Sequence, residues 1–183
     1  MNKRRLSSTI DRILTVLLTC IPMCMGVLAF VNNISDWNGT LSHVVTPLLT
    51  LDALRDVPQF RWRALPSAVA PFVYFGVTSV ELMVGLSAGF AVIAMLRRFG
   101  GSTTAFSEAC QIAQRSCTLG IITWLFFFFV VAGDWFLAWR DPSLVGVQRD
   151  ALMYAGAAVF VLIGLRSAEV RLLSAGQTVG SIE

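Results

Sequence analysis

Apolar residues in this chain fall into long unbroken runs, not into alternation or narrow stripes. Four runs stand out, over about 11–31, 68–96, 116–139 and 148–168. The first is uncharged after Arg12, the second is interrupted only by Glu81, and the third only by Asp134. The fourth has an uncharged centre of 15 residues, 151–165, so it spans only if Arg149 and Arg166 snorkel outward at its ends. A bilayer core of ~30 Å needs roughly 20 residues of helix. The strict alternation of a membrane β-barrel strand is absent. The pattern predicts an all-α, integral membrane four-helix bundle.

The stretches between the runs predict its connections. Residues 32–67 form one long loop. It opens with "VNNISDWNGT", a polar, turn-rich stretch. "TPLLTLDALRDV" follows and reads as a short helix, with Thr46 as its cap, Pro47 at the first helical position, and Leu48, Leu51 and Leu54 along one side. Such a helix is expected to lie along the bilayer surface. The shorter loop "RRFGGSTTAFSEACQIAQR" is glycine-rich and then helical, and the small polar tail after Arg171 is expected to fray. No repeat or linker divides residues 1–183, which read as a single transmembrane domain.

Composition excludes a soluble class. Only 14% of the residues are charged and 56% are hydrophobic, against about 25% charged in soluble domains. Charge placement then predicts orientation. With the amino terminus in the cytoplasm, Lys3, Arg4, Arg5, Arg12, Arg97, Arg98, Arg115, Arg166 and Arg171 fall inside, and Arg55, Arg61, Arg63, Arg140 and Arg149 outside. Nine against five favours both termini inside and the long loop outside. Trp37, Trp62, Trp135 and Trp139 then gather near the outer interface, where amphipathic rings are favoured. The first run is too long for a signal-peptide core and reads as an uncleaved anchor.

"VNNISDW", "SHVVTPLLTLDA", "WRAL", "YFGVTSVE" and "GDWFLAWRD" occur in an order that resembles a bacterial family of small integral membrane proteins of unknown function. The resemblance covers about residues 10–168. It implies a double asparagine and an acid after the first span, a His-Val pair in the outer loop, and Trp-Arg before the second span. A glutamate inside that span and an acidic-Trp-Phe motif closing the third complete it. These fall on Asn32, Asn33, Asp36, His43, Val44, Trp62, Arg63, Glu81, Asp134, Trp135 and Phe136. The chain departs from the pattern in carrying Asp134 where glutamate is usual and Leu51 where methionine is frequent. The resemblance implies a topology and no reaction.

Two carboxylates carry the candidate chemistry. Tyr74, Thr78, Glu81, Gly85, Ala88 and Val92 recur at steps of four and three, a small and polar stripe that turns Glu81 into the bundle. Gly85 and Gly89 form a GxxxG pair that permits close helix approach. No basic residue lies at the depth of Glu81, so it is expected to be neutral at pH 7. Its partner is then a hydroxyl, a carbonyl or the Trp124 indole. The competing reading is a proton-relay or ion-pathway acid. Asp134 lies nearer the outer face, level with Arg61 and Arg63. It is expected to be ionised and held by Arg63, with Arg61 as second choice, anchoring the outer loop, or else to line a pocket beneath that loop.

The remaining chemistry is thin. His43 is the only histidine, so a bis-histidine haem within one chain is excluded, and no metal or other cofactor is expected. Cys20, Cys24, Cys110 and Cys117 make no CxxC and are not expected to form disulfides, and Cys20 and Cys24 read as helix-packing residues. No phosphate loop, nucleophile elbow or HExxH occurs. The reading is a non-catalytic small membrane protein of the bacterial inner membrane, an accessory or scaffold subunit against a membrane partner or a second copy, with no nucleic acid. One alternative is a small transporter or proton-linked channel using Glu81 and Asp134. Another is a quinone- or cofactor-linked component built on the polar cluster of Asn32, Asn33, Asp36, His43, Arg63, Glu81, Asp134 and Trp135.

Overall fold

A computed structural model describes residues 3–180, with side chains from 6 to 174. The side chains of Lys3, Arg4 and Arg5 and of the tail beyond 174 lie outside the described residues. Six α-helices make up most of the fold. They are α1 (Lys3–Ser35), α2 (Trp37–Thr40), α3 (Thr46–Thr50), α4 (Ala70–Arg97), α5 (Thr103–Ile122) and α6 (Val145–Gly180). Four segments are long and apolar enough to cross a membrane: Leu6–Ser35, Pro58–Arg97, Thr103–Trp135 and Val145–Ser174. The protein is therefore an all-α membrane bundle, in which each long helix packs on two neighbours in the ring α1–α4–α5–α6.

Close approach of α1 and α4 follows from two glycines. A Cβ on Gly26 would stand 2.8 Å from the Cα of Gly85, and one on Gly85 would stand 2.6 Å from the amide nitrogen of Val27. No side chain fits between the backbones there, so only glycine permits the crossing. Gly89, expected to share this role, has room: its Cβ would meet the Met23 sulfur at 3.5 Å, an ordinary contact.

The end of the bundle that carries the α4–α5 turn is regular and tied by side chains. Ser102 caps α5 by accepting the amide of Ala105. Arg12 donates to the carbonyls of Phe99 and of Gly101, the latter at 3.0 Å, with its guanidinium 5.0 Å from the Phe106 ring. Glu169 of α6 accepts from Ser107, from Gln114 at 2.7 Å and from Gln111 at 3.3 Å, so α5 supplies three donors to one carboxylate. Between these ties Met95, Phe106, Cys110, Cys117, Val161 and Leu165 form a dry core. All four cysteines are free, and Cys24, expected to pack, is exposed on the outer side of α1.

The opposite end, which carries the connector of residues 36–69, departs from the sequence expectation. "VNNISDWNGT" is not a run of turns: α1 extends to Ser35, the chain breaks only at Asp36 (φ −118°, ψ 43°), and α2 follows at once. Thr46 does not cap a helix, because a wide π-helical turn, Leu41–Val45, feeds directly into α3. The expected helix through Leu54 instead stops at Leu51, which is left-handed (φ 55°). Leucine is strained there, but its side chain is only 4% exposed and packs with Leu49, Leu54 and Phe136, so burial offsets the strain. The third span also loosens. Its last thirteen residues, Thr123–Trp135, wind as a π-helix, closed by the amide of Phe136 bonding five residues back to Val131. Leu137 is then left-handed as well.

Candidate functional site

Under the connector lies a chamber of about 440 Å³, within the range of roughly 300–1,000 Å³ of small-molecule sites. Its walls are apolar: Val44 and Leu48 from the connector, Val73 from α4, Phe127 and Val131 from the third span, and Val147 from α6. Both π-helical segments border it. A π turn is rare and concentrates at functional sites; here two meet at one cavity. Four polar residues also line the chamber, Asn33, Thr40, Tyr74 and Gln148. The Tyr74 hydroxyl donates to the Asn33 carbonyl at 3.0 Å, and its ring lies 4.4 Å from that of Trp37. The Gln148 amide donates to the Phe128 carbonyl at 3.1 Å, tying α6 to the π-wound segment. Gly133 makes room for it, since a Cβ there would stand 2.7 Å from the Gln148 nitrogen.

A second cavity, of about 220 Å³, adjoins the first, and Asn33, Phe128 and Val147 line both. Glu81 faces it. The carboxyl is 3% exposed, with one oxygen accepting from the Asn33 amide at 2.7 Å and the other from the Trp124 indole at 3.4 Å. Trp124 in turn packs against Tyr154 of α6, ring centroids 5.1 Å apart. Asn32 and Asp150 complete the polar side of this cavity.

The polar residues singled out in the sequence therefore divide. Asn32, Asn33 and Glu81 come together. Arg63, Asp134 and Trp135 form a separate group on the connector surface. Asp36, just before α2, and His43, in the π turn after it, are exposed, and the His43 ring nitrogen Nδ1 lies 3.0 Å from both the Ser42 hydroxyl and the Gly39 carbonyl. The expected ion pair between Arg63 and Asp134 is not formed. Arg63 donates instead to the backbone carbonyls of Asp134 at 3.1 Å and Trp135 at 3.3 Å, and the Asp134 side chain is exposed. The reason is the helix end: the last carbonyls of a helix lack intrahelical donors, and a cation there is favoured by the helix dipole. The Arg63 guanidinium also stacks over Trp62 (5.1 Å), Phe60 (5.4 Å) and Trp135 (5.6 Å). Arg63 thus holds the connector to the third span through Asp134's main chain, not its carboxylate.

Gln148, Asp150 and Tyr154 escaped the sequence reading. All three lie at the start of the fourth run, where the signal was a lone amide and an acid interrupting weak hydrophobicity.

Neither a curated protein nor a solved structure matches the chain. A family model described as "predicted small integral membrane protein" matches residues 11–167, a stretch that contains the four spans' cores, the connector and both cavities. The chain belongs to this family of small integral membrane proteins.

Proposed function

We propose that the protein is a non-catalytic component of the bacterial inner membrane, with both termini cytoplasmic, that holds a small amphiphilic molecule in the chamber beneath its connector. The observation that carries this reading is the chamber itself: about 440 Å³, apolar on most sides, with Asn33, Tyr74 and Gln148 at its border. Few convergent polar groups in an apolar cavity suit a ligand that is mostly hydrocarbon with one polar end. Native mass spectrometry of the protein released from its own membrane tests it. A bound species is expected on the parent protein and not on Val44→Trp, which fills the chamber. A parent that carries nothing, or a variant that keeps the same adduct, would refute the reading.

An accessory role against a membrane partner is compatible with ligand holding. It is favoured by the broad exposed apolar face of α1, including Leu14, Leu17, Ile21 and Leu28. A stoichiometric protein that co-purifies in mild detergent would support it. The transporter reading has less behind it, because Glu81 and Asp134 line no common cavity among those described.

A further inference from the structure

We infer that the 220 Å³ cavity beside Glu81 receives the ammonium head of an amphiphilic amine whose hydrocarbon body occupies the chamber next to it. This rests on the ligand-holding reading above and names the ligand's class.

Four observations converge on that class. First, both oxygens of the Glu81 carboxyl act as acceptors, from Asn33 and Trp124, which suits an ionised carboxylate better than the neutral acid expected from the sequence, and among the described residues no Lys, Arg or His lines the cavity. A buried carboxylate without a counter-charge is costly, and a cation placed beside it removes most of that cost. Second, among the described residues the only other carboxyl lining the cavity is that of Asp150, next to Ala151 and about one helix turn before Tyr154 on α6. It has only a loose 3.5 Å contact with its exposed neighbour Arg149. Two acids and no base repel an anionic head, and a neutral hydroxyl or carbonyl head would leave Glu81 unneutralised. Third, the Trp124 and Tyr154 rings, tilted 46° to each other, both line the same cavity, so aromatic surface lies beside the carboxyl. Such faces attract ammonium groups and give nothing comparable to an alcohol. Fourth, the two cavities share Asn33, Phe128 and Val147, so one molecule can place its head in one and its tail in the other.

A metal ion is a poorer occupant. No group of three His, Cys, Asp or Glu able to hold one occurs among the described residues. A hard divalent cation also needs six or more oxygen ligands, and the Trp124 indole on this cavity supplies none. The roughly 220 Å³ available exceeds what a bare ion fills, and suits an ammonium with its first few methylenes.

The experiment uses the full chain in lipid nanodiscs and three probes of equal tail length: decylamine, decanol and decanoate. Binding is read as a saturable change in tryptophan fluorescence, with empty nanodiscs as the partition control. Decylamine is expected to bind at one equivalent and at least tenfold more tightly than the other two. Glu81→Gln should abolish that preference, and Asp150→Asn should weaken it severalfold. Asp150 is exposed, so its variant folds even if Glu81→Gln does not. Equal binding of all three probes, or a preference for the amine that survives both substitutions, would overturn the amine assignment and leave the chamber reading standing. Saturable binding of none of them would overturn both.

Discussion

Glycine at position 26 can be replaced only by moving a helix. A methyl group there would sit 2.5 Å from the Glu81 carbonyl oxygen and 2.8 Å from the Gly85 Cα, where carbon atoms ordinarily rest about 3.5–4.0 Å apart. Both obstacles are main chain, so neither can rotate away, and α1 and α4 must part by about 1 Å. Overpacking of this kind costs about 1–3 kcal/mol, and rigid obstacles put Gly26→Ala toward the upper end. Against it stands the better helix propensity of alanine, about 1 kcal/mol. The net expectation is a loss of about 2 kcal/mol, read as a lower midpoint in denaturing-detergent titrations of the protein in mixed micelles. Gly76→Ala and Gly156→Ala are the controls, since a Cβ at either meets nothing within 4 Å; both should be neutral or stabilising. Gly85→Ala needs the same displacement as Gly26→Ala, because its Cβ would stand 2.6 Å from the Val27 nitrogen. One separation relieves both clashes, so the double variant should lose clearly less than the sum of the two. If Gly26→Ala unfolds with the controls, or if the two losses simply add, the close crossing is not what holds α1 to α4.

Three further outcomes are expected at the connector end. Asp134→Asn should leave connector attachment unchanged, whereas Arg63→Met, which loses two charged hydrogen bonds, should weaken it by roughly 1–2 kcal/mol, measured as faster limited proteolysis between residues 51 and 63. The Thr50 hydroxyl, 2.8 Å from the Asp52 carboxylate, is the largest influence holding that acid below its ordinary range; burial opposes it, and Arg55 adds to it. Its stabilising contribution is therefore complete above the unfolded aspartate's range and is lost as pH falls through the folded value, and Thr50→Val should move the Asp52 midpoint upward in a carboxyl NMR titration. A membrane-impermeant maleimide added to intact cells should label Asn38→Cys and not Gly100→Cys, and the opposite pattern would invert the proposed topology.

What the sequence made legible was whatever depended on long runs and on periodicity. Solvent-free lengths of helix need apolar residues all round, so the four spans are visible without contacts. Glu81 could be turned inward because Tyr74, Thr78, Gly85 and Ala88 share its face, and all five are buried. The stripe missed its lower end: Ala91 and Met95, not Val92, continue the buried face. What stayed illegible was decided by packing between distant segments. Leu51 and Leu137 adopt left-handed backbone that sequence rules reserve for glycine or asparagine. Nothing local marks them; they are held by a shared cluster around Leu49 and Phe136. Asp134 was misread for a related reason. A regular α-helix was assumed through "FFFFVVAGDW", but π-winding changes which side each residue faces and leaves the carboxylate exposed.

The two ends of the bundle bear on whether the chamber is a site or a packing fault. At the end carrying the α4–α5 turn, the same chain reaches a dry core with regular α-helix, a capped α5 and every tie satisfied. At the connector end it departs from regular winding twice, at Leu41–Val45 and Thr123–Trp135, and adopts left-handed leucines twice. Each left-handed leucine costs on the order of 1–3 kcal/mol, and a void of this size forfeits contacts besides. Ordinary α-winding with the same phenylalanines and valines would fill the space more cheaply, as it does at the other end. The irregular backbone is instead held open by specific devices: Gln148 bonded to the Phe128 carbonyl, Gly133 leaving room for that amide, and Arg63 gripping the end of the third span. Strain that converges from separate segments on one cavity, and is fixed there by polar side chains, fits a cavity kept for an occupant better than it fits a core left unfinished.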